Sequence, residues 1–101
     1  MWYQRSVDLA LGLPFNIASY GLLLHLIAKE CGYKVGILKA TLGDVHIYKN
    51  HIDNLIEQKK RQLLKLPSID ISDTNLFNFN YKKVKLNNYS SHSKIKYNLV
   101  N

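Results

Sequence analysis

The order of apolar and polar positions in the first third of the chain predicts a strand, a turn and a helix. Residues 2 to 7 alternate loosely and include an aromatic pair, so we place a short strand there that ends near Asp8. A glycine and a proline soon after it mark a turn. Residues 17 to 31 are apolar nearly all round, which is typical of a helix buried on most sides, with Asn16 as its N-cap and Gly32 as its stop.

The middle of the chain predicts strands and then a second helix. Residues 35 to 48 contain two glycines and are rich in β-branched and aromatic residues, which indicates strand material around a bend. Asn50 and Asp53 resemble a capping pair, and apolar residues from Ile52 to Leu63 then recur at helical spacing. This pattern predicts an amphipathic helix, whose basic end complements the helix dipole.

Apolar residues after Pro67 recur at every second position, as they do in strands with one buried face. They form three groups: Ile69 and Ile71; Phe77, Phe79 and Tyr81; and Val84 and Leu86. We therefore expect strands, with a bulge or a change of exposed face where the parity shifts between Tyr81 and Val84. Residues 87 to 101 are polar and irregular, and we expect a mobile end.

These elements predict an α+β fold, in which a mixed sheet packs on the buried helix and the amphipathic helix lies outside. The length of 101 residues falls within the usual size of one domain, so residues 1 to 101 are interpreted as one domain or a part of one. With 47% hydrophobic and 21% charged residues, the chain has enough apolar material to fold.

Charge and cysteine content exclude several classes of function. The formal net charge is +7, and most of the excess lies after residue 58, where solvated helix ends and strand faces explain it better than nucleic-acid binding. A single cysteine excludes an internal disulfide, and with four scattered histidines it lacks the spacing of a metal site. No apolar run approaches the roughly 20 residues that span a bilayer, so we expect a cytoplasmic protein without a membrane partner.

Six polar residues lie among apolar neighbours and are candidates for chemistry: Arg5, Ser6, Asp8, Asn16, His46 and Tyr48. Each also has a structural explanation, because Arg5 and Asp8 can pair at a strand end and Asn16 can simply cap a helix. His46 and Tyr48 lie two residues apart, on one face of a strand, where cross-strand packing accounts for them. Spacing alone favours these structural roles.

Three segments nevertheless resemble consecutive signature blocks of thymidylate synthase, in the same order and at the same spacing. They are Gln4-Arg5-Ser6-Val7-Asp8, Leu11-Gly12-Leu13-Pro14-Phe15-Asn16-Ile17-Ala18-Ser19-Tyr20, and Gly43-Asp44-Val45-His46-Ile47-Tyr48-Lys49-Asn50-His51. The similarity runs with few gaps from residue 2 to about residue 66. The closing segment, Leu86-Asn87-Asn88-Tyr89 with His92, resembles phage-encoded members in particular.

The resemblance implies a site for dUMP formed by residues of all three blocks: Gln4, Arg5, Ser6, Asn16, His46 and Tyr48. Arg5 and Ser6 match the residues that bind the phosphate, for which a guanidinium fork and a hydroxyl are suitable donors, and Gln4 matches their neighbour. Asn16 matches the asparagine that hydrogen-bonds the pyrimidine, where an amide complements uracil better than cytosine. His46 and Tyr48 match the pair that binds the deoxyribose 3′-hydroxyl.

The resemblance also implies 5,10-methylenetetrahydrofolate as co-substrate, and no metal. Asp8 matches the aspartate that contacts the pterin, and Leu11 and Gly12 match positions that line the folate side of the cleft. The implied reaction is reductive methylation of dUMP, which gives dTMP and dihydrofolate, in a homodimer. A hydroxymethylase acting on deoxyuridylate would share Asn16, so the resemblance does not separate these two activities.

The family's nucleophile is a cysteine in a Pro-Cys-His block upstream of the first matched segment, and this sequence does not contain that block. Cys31 follows the apolar helix, and we expect a small core residue there rather than a substitute nucleophile. We therefore expect residues 1 to 101 to be the C-terminal portion of a thymidylate synthase domain, inactive alone, without a catalytic residue and with an exposed apolar edge. The alternative is a non-catalytic nucleotide-binding or regulatory module.

Overall fold

The computed structural model describes residues 1 to 99, in which helices alternate with short strands. The helices are α1, Leu13–Glu30, and α2, Ile52–Lys60; the strands are β1, Trp2–Asp8, β2, Ala40–His46, β3, Ser68–Asp70, and β4, Lys85–Asn87. Single 3-10 turns occupy Lys49–His51 and Tyr81–Lys83. The α+β class that the sequence predicts is confirmed.

Strands β1 and β2 form a parallel pair joined by α1, because parallel neighbours need a crossover connection. The register pairs Trp2 with Ala40 and Asp8 with His46. Helix α1 packs on β1 through Trp2 and Tyr20, whose rings are stacked with their centroids 4.6 Å apart. The three elements therefore form one βαβ unit, with the carboxyl ends of both strands at the same edge.

Strands β3 and β4 form a separate antiparallel pair, in which Asp70 lies opposite Lys85. The end of α1 is tied to this second sheet by Lys29. Its ammonium donates hydrogen bonds to the backbone carbonyls of Ile71, Ser72 and Thr74, at 2.7, 2.8 and 2.7 Å. Three carbonyl acceptors match the three N–H groups of an ammonium, so this lysine has a structural role.

Much apolar surface remains in contact with solvent. The buried apolar residues of the described chain are Trp2, Val7, Ala10, Leu26, Ala28 and Ile71. On α1, Leu23 and Ile27 lie one turn apart and are 39% and 43% exposed, although the helix is apolar nearly all round. In the loop before β2, Ile37 is 82% exposed. Within this chain, α1 therefore lacks the cover that its sequence predicts.

Helix α1 begins earlier than the sequence predicts. It starts at Leu13, with Gly12 as N-cap and Pro14 in its first turn, so Asn16 lies inside the helix and the prediction of an Asn16 cap is wrong. Its end is as predicted, because Gly32 adopts a left-handed φ of 68°. Cys31 is exposed at the helix end, and the expectation of a core residue there is also wrong.

The second half of the chain departs further from its pattern. Asn50 and Asp53 do not form a capping pair, because a 3-10 turn leads into α2. No strand covers residues 77 to 81, where Asn75 accepts a hydrogen bond from the backbone N–H of Asn78 at 2.7 Å. Side-chain bonds of this kind compete with a strand ladder, so asparagine overrides the apolar alternation.

Candidate functional site

The candidate residues converge where parallel strands β1 and β2 end and α1 begins. This is the edge at which open α/β units bind ligands. Strand β1 carries Gln4, Arg5, Ser6 and Asp8, α1 carries Asn16, and β2 ends at His46, two residues before Tyr48. The structure thus brings the three sequence blocks to one edge of the βαβ unit.

The amide of Asn16 is held in one orientation by a chain of hydrogen bonds. The Trp2 indole, which can only donate, donates to Gln4 Oε1 at 3.2 Å. Gln4 Nε2 donates to the Ser6 carbonyl at 3.1 Å and to Asn16 Oδ1 at 2.9 Å. Because a carbonyl can only accept, the Gln4 amide has one consistent orientation. Asn16 therefore turns its oxygen to Gln4 and keeps its NH₂ group for a ligand.

Asp8 shapes the loop between β1 and α1. Its Oδ1 accepts hydrogen bonds from the backbone N–H groups of Ala10 and Leu11, at 3.0 and 3.1 Å. One carboxylate oxygen is thus used by the loop, which leaves Oδ2 without a hydrogen bond from the described residues. An ionised carboxylate in this arrangement can still accept from a ligand N–H.

Gly12 lies against both Asp8 and Asn16. Its backbone N–H donates to the Asp8 carbonyl at 3.1 Å, and its carbonyl accepts from the Asn16 N–H at 3.0 Å. A Cβ at this position would lie 3.1 Å from the Asp8 carbonyl oxygen and 3.6 Å from Asn16 Oδ1. The absence of a side chain therefore lets the helix start close to the end of β1.

His46 and Tyr48 form a pair with complementary hydrogen-bonding groups. His46 Nδ1 lies 3.3 Å from the carbonyl of Asp44, which can only accept, so Nδ1 carries the hydrogen when this bond is made. In the neutral ring, Nε2 is then an acceptor. The rings of His46 and Tyr48 meet edge to face, with centroids 5.3 Å apart. A ligand hydroxyl can donate to His46 Nε2 and accept from the Tyr48 hydroxyl.

Arg5 lies apart from this network. Alternation along β1 places Gln4, Ser6 and Asp8 on the face that α1 covers and exposes Arg5 on the other face. Among residues 1 to 99, carboxylates lie within 4 Å of a basic side chain only at Asp44 beside His46 and Asp73 beside Lys85, so none pairs with the Arg5 guanidinium. An exposed guanidinium in this state can bind an anion.

A stripe of polar residues along α2 and the residues that flank it was missed by the sequence interpretation. His51, Asn54, Gln58 and Arg61 recur at helical spacing, and their side chains bind the tail, residues 92 to 98. The tail partners are the Asn98, Lys96 and Ser93 carbonyls and the Tyr97 hydroxyl. These hydrogen bonds join the tail to α2 and its flanking residues as far as Asn98. The expectation of a mobile end stays a prediction, and Val100 and Asn101 lie outside the described residues. The spacing of these polar residues was the available signal.

Tyr97, a residue of the tail, is partly buried where the tail packs near Arg61. Burial raises the pKa of its phenol, and the positive charge of Arg61 acts in the opposite direction. The phenol donates a hydrogen bond to Gln58 Oε1 at 2.8 Å. A neutral phenol at physiological pH keeps this donor in place.

Cys31 is remote from the site, and residues 1 to 99 offer no metal centre. Asn16 and Cys31 stand at opposite ends of α1, about 22 Å apart at the helical rise of 1.5 Å per residue. The described part of the chain contains no group of three histidine, cysteine or acidic residues placed to hold a metal ion. Neither described helix combines the length and hydropathy needed to cross a bilayer.

Comparisons with known proteins agree with this architecture. The family model described as thymidylate synthase matches residues 1–101. The thymidylate synthase of Staphylococcus haemolyticus is 50% identical over 95 residues, and that of Mesoplasma florum is 49% identical over 94 residues. Among solved structures, thermostable thymidylate synthase A from Bacillus subtilis is similar with a TM-score of 0.89, at 36% identity over 96% of this chain.

The matches cover nearly all of this chain but only part of each relative. The alignments include 93% and 92% of the chain, and 30% and 33% of the two bacterial relatives. In the solved structure the matched part is 36% of the chain. The chain thus spans about a third of the length of these relatives. Because the family model matches from end to end and the backbone fold agrees, the chain belongs to the thymidylate synthase family.

Proposed function

We propose that residues 1 to 101 form the C-terminal portion of a thymidylate synthase domain and supply the wall of its active site that binds dUMP. The oriented amide of Asn16 is the observation that carries this proposal. Its free NH₂ group is a donor for uracil O4. Its oxygen has two acceptor positions, of which Gln4 uses one, so the other can accept from N3–H. Cytosine presents the opposite pattern and is disfavoured.

The other residues of the proposed dUMP site bind the sugar and the phosphate. His46 Nε2 and the Tyr48 hydroxyl are an acceptor and a donor for the 3′-hydroxyl, and neither has another partner among residues 1 to 99. The unneutralised guanidinium of Arg5 and the hydroxyl of Ser6 are the donors for the phosphate. Because alternation separates their Cβ positions, the phosphate is expected at the edge of β1, where the long Arg5 side chain can reach round.

The loop before α1 supplies the folate side of the site. Asp8 Oδ2 is free to accept from the pterin of 5,10-methylenetetrahydrofolate, and Leu11 and Gly12 line the approach. The loop bonds to Oδ1 hold the carboxylate in place before any ligand arrives. This pre-organisation lowers the entropy lost on binding.

The chemical step needs a group from outside this chain. The full enzyme converts dUMP and 5,10-methylenetetrahydrofolate to dTMP and dihydrofolate through a cysteine thiolate. Cys31 lies about 22 Å along α1 from the base-binding amide and cannot attack the same base. We therefore expect the isolated chain to be inactive, and the nucleophile to come from the remaining thymidylate synthase sequence, in an assembly that dimerises.

Calorimetric titration of the isolated chain tests the binding role. Wild type should bind dUMP more tightly than dCMP. Arg5→Ala should weaken dUMP but leave deoxyuridine unchanged, because only the phosphate contact is lost. Lys34→Ala, which removes an exposed lysine beyond α1, is the charge-matched control and should bind as wild type does. A folded chain that does not bind dUMP, or that binds it equally after Arg5→Ala and Asn16→Ala, would rule out this role.

A further inference from the structure

A buried histidine lies directly behind the residues assigned to the 3′-hydroxyl. His51 is 1% exposed, in the 3-10 turn that precedes α2. Its ring meets the ring of Tyr48 edge to face, with centroids 5.6 Å apart and planes at 78°. On its other side it meets Tyr97 of the tail in the same manner, at 5.2 Å and 79°. His51 thus stands between the ligand-facing tyrosine and the tail.

The hydrogen bonding of His51 fixes its tautomer. Nε2 lies 2.7 Å from the carbonyl of Asn98, which can only accept, so Nε2 carries the hydrogen. Nδ1 is buried and has no hydrogen-bond partner among the described residues. The ring is therefore held by one directed bond and by two aromatic edges, and it has no second polar contact that would favour another orientation.

We propose that His51 is a positioning residue that couples the tail to the recognition of the ligand 3′-hydroxyl. The tail carbonyl at Asn98 fixes the His51 ring, and the ring edge sets the plane of Tyr48. Because the O–H bond of a phenol lies in the plane of its ring, this plane sets the direction of the Tyr48 O–H bond. This inference rests on the proposed function for the identity of the ligand, but the coupling between tail and Tyr48 exists without it.

The other tail contacts on α2 supply a control. Asn54 donates to the Lys96 carbonyl at 2.9 Å, so it also holds the tail. Among the described residues, the Asn54 side chain makes no hydrogen bond to Tyr48, His51 or Tyr97. Removing the Asn54 side chain deletes this one tail bond but keeps the His51 bond to Asn98 and the ring contacts, whereas changing His51 or Tyr97 alters the ring series itself.

Nuclear magnetic resonance of the full chain tests the coupling without a ligand. Labelling with ¹⁵N-histidine should show His51 with its hydrogen on Nε2, and ring protons of His51 should give contacts to both tyrosines. Tyr97→Leu should shift the Tyr48 ring resonances, and Asn54→Ala should leave them in place. The proposal would be overturned if His51 carried its hydrogen on Nδ1, or if the Tyr48 ring resonances did not shift in Tyr97→Leu.

Binding experiments then test the consequence for recognition. We compare dUMP with its analogue lacking the 3′-hydroxyl, for which wild type should show a roughly tenfold lower affinity. His51→Phe keeps a ring but loses the bond to Asn98, and it should bring this ratio to about two. His51→Gln keeps a donor but loses the ring edge. It should restore the tail resonances of wild type while the ratio stays low.

A merely structural role for His51 predicts a different result. Both nucleotides would then lose affinity by the same factor, so the ratio would stay at its wild-type value in His51→Phe, and the proposal would be wrong. If wild type binds neither nucleotide, the proposed function fails. The tautomer and the Tyr48 resonances still decide the role of His51 in that case.

Discussion

Strands β1 and β2 lie close together at Gly43, a residue without a side chain. A Cβ on Gly43 would lie 2.6 Å from the backbone oxygen of Arg5 and 3.3 Å from that of Gln4. Contacts this short with backbone atoms cannot be relieved by a side-chain rotation. Gly43 therefore lets the two strands converge beside the residues that we assign to the phosphate.

Gly43→Ala should destabilise the chain by about 1–3 kcal/mol, the usual range for overpacking, because the strands must separate. Gly21→Ala is the matched control, since a Cβ there meets nothing within 4 Å. Gly21 lies inside α1, where alanine is favoured by about 1 kcal/mol. In urea unfolding, the free energy of unfolding should fall in Gly43→Ala and rise in Gly21→Ala. Equal shifts would contradict this account of the strand contact.

Asn16→Asp should exchange the base preference of the site. A carboxylate has no donor for uracil O4 but can accept from the amino group of cytosine, so dUMP affinity should fall about tenfold or more relative to dCMP. Gln4→Glu should act in the same direction. The introduced carboxylate can only accept, so the Asn16 amide should turn its NH₂ group to that carboxylate and its oxygen to the base. Competitive titration with both nucleotides measures the ratio, and an unchanged ratio in Asn16→Asp would refute the assignment of the amide.

Individual site residues could be predicted only in part from the sequence. The family resemblance grouped the blocks that contain Asn16 and His46, and the structure brings both residues to one edge of the βαβ unit, although the helix start itself was misplaced. The orientation of the Asn16 amide could not be predicted, since it depends on Trp2 and Gln4 through contacts across two elements. Cys31 was misplaced because a cysteine at a helix end can face either way.

At the scale of elements, long segments were predicted better than short ones. Strand β1 and helix α1 have seven and 18 residues, enough for a loose alternation and a continuous apolar run to be recognised. Strands β3 and β4 have three residues each, and the alternation that continues over residues 77 to 81 yields no strand. Side-chain bonds from Thr74, Asn75 and Asn80 fold that segment into turns. Hydrophobic periodicity carries no information about such bonds.

The second sheet should loosen in acid. The hydrogen bonds from the backbone N–H of Ser72, 2.8 Å from Asp70 Oδ1, and from its side chain lower the pKa of Asp70 from its usual value of 3.8. A lowered pKa means that the contribution of Asp70 to stability is complete above pH 3.8 and is lost as the pH falls through the value in the folded chain. Hydrogen exchange of the Ser72 amide should therefore accelerate, relative to its intrinsic rate, below about pH 4.

Asp70→Asn is the control for this effect. Asparagine keeps an oxygen at the same position but does not titrate, so protection of the Ser72 amide should become independent of pH in this range. Protection that falls in the wild type already well above pH 3.8, or that falls equally in Asp70→Asn, would assign the effect to another group.

The whole molecule is more extended than its length requires. Its radius of gyration is 15.8 Å, whereas a compact domain of 100 residues has about 13 Å. On the face of β1 opposite α1, Val7 is buried but Tyr3 is 70% exposed, although parallel sheets normally have both faces buried. An apolar groove between Leu9, Ile47 and the Ile52, Leu55 and Ile56 side of α2 is likewise open. These exposed apolar surfaces could not be predicted from composition, because composition does not show which element or chain covers an apolar face.

We expect this open apolar surface to cause self-association and to be the surface that the rest of a thymidylate synthase covers. The pair Leu23 and Ile27 on α1 provides the test, since both are exposed and lie on one face. Leu23→Gln with Ile27→Gln should lower the sedimentation coefficient at high concentration to that of a monomer. Leu63→Gln is the control, because Leu63 is fully exposed but lies in a loop outside this face.

A complementation assay distinguishes a specific interface with the rest of the enzyme from nonspecific self-association. Wild type mixed with the part of the Staphylococcus haemolyticus enzyme outside the matched 30% should restore conversion of dUMP to dTMP. Under the proposed function, that part supplies the nucleophile and this chain binds the nucleotide. The Leu23 and Ile27 double variant should lose this activity, while Leu63→Gln should keep it. If the double variant is monomeric yet complements fully, α1 is a surface for self-association and the missing part of the enzyme covers a different face.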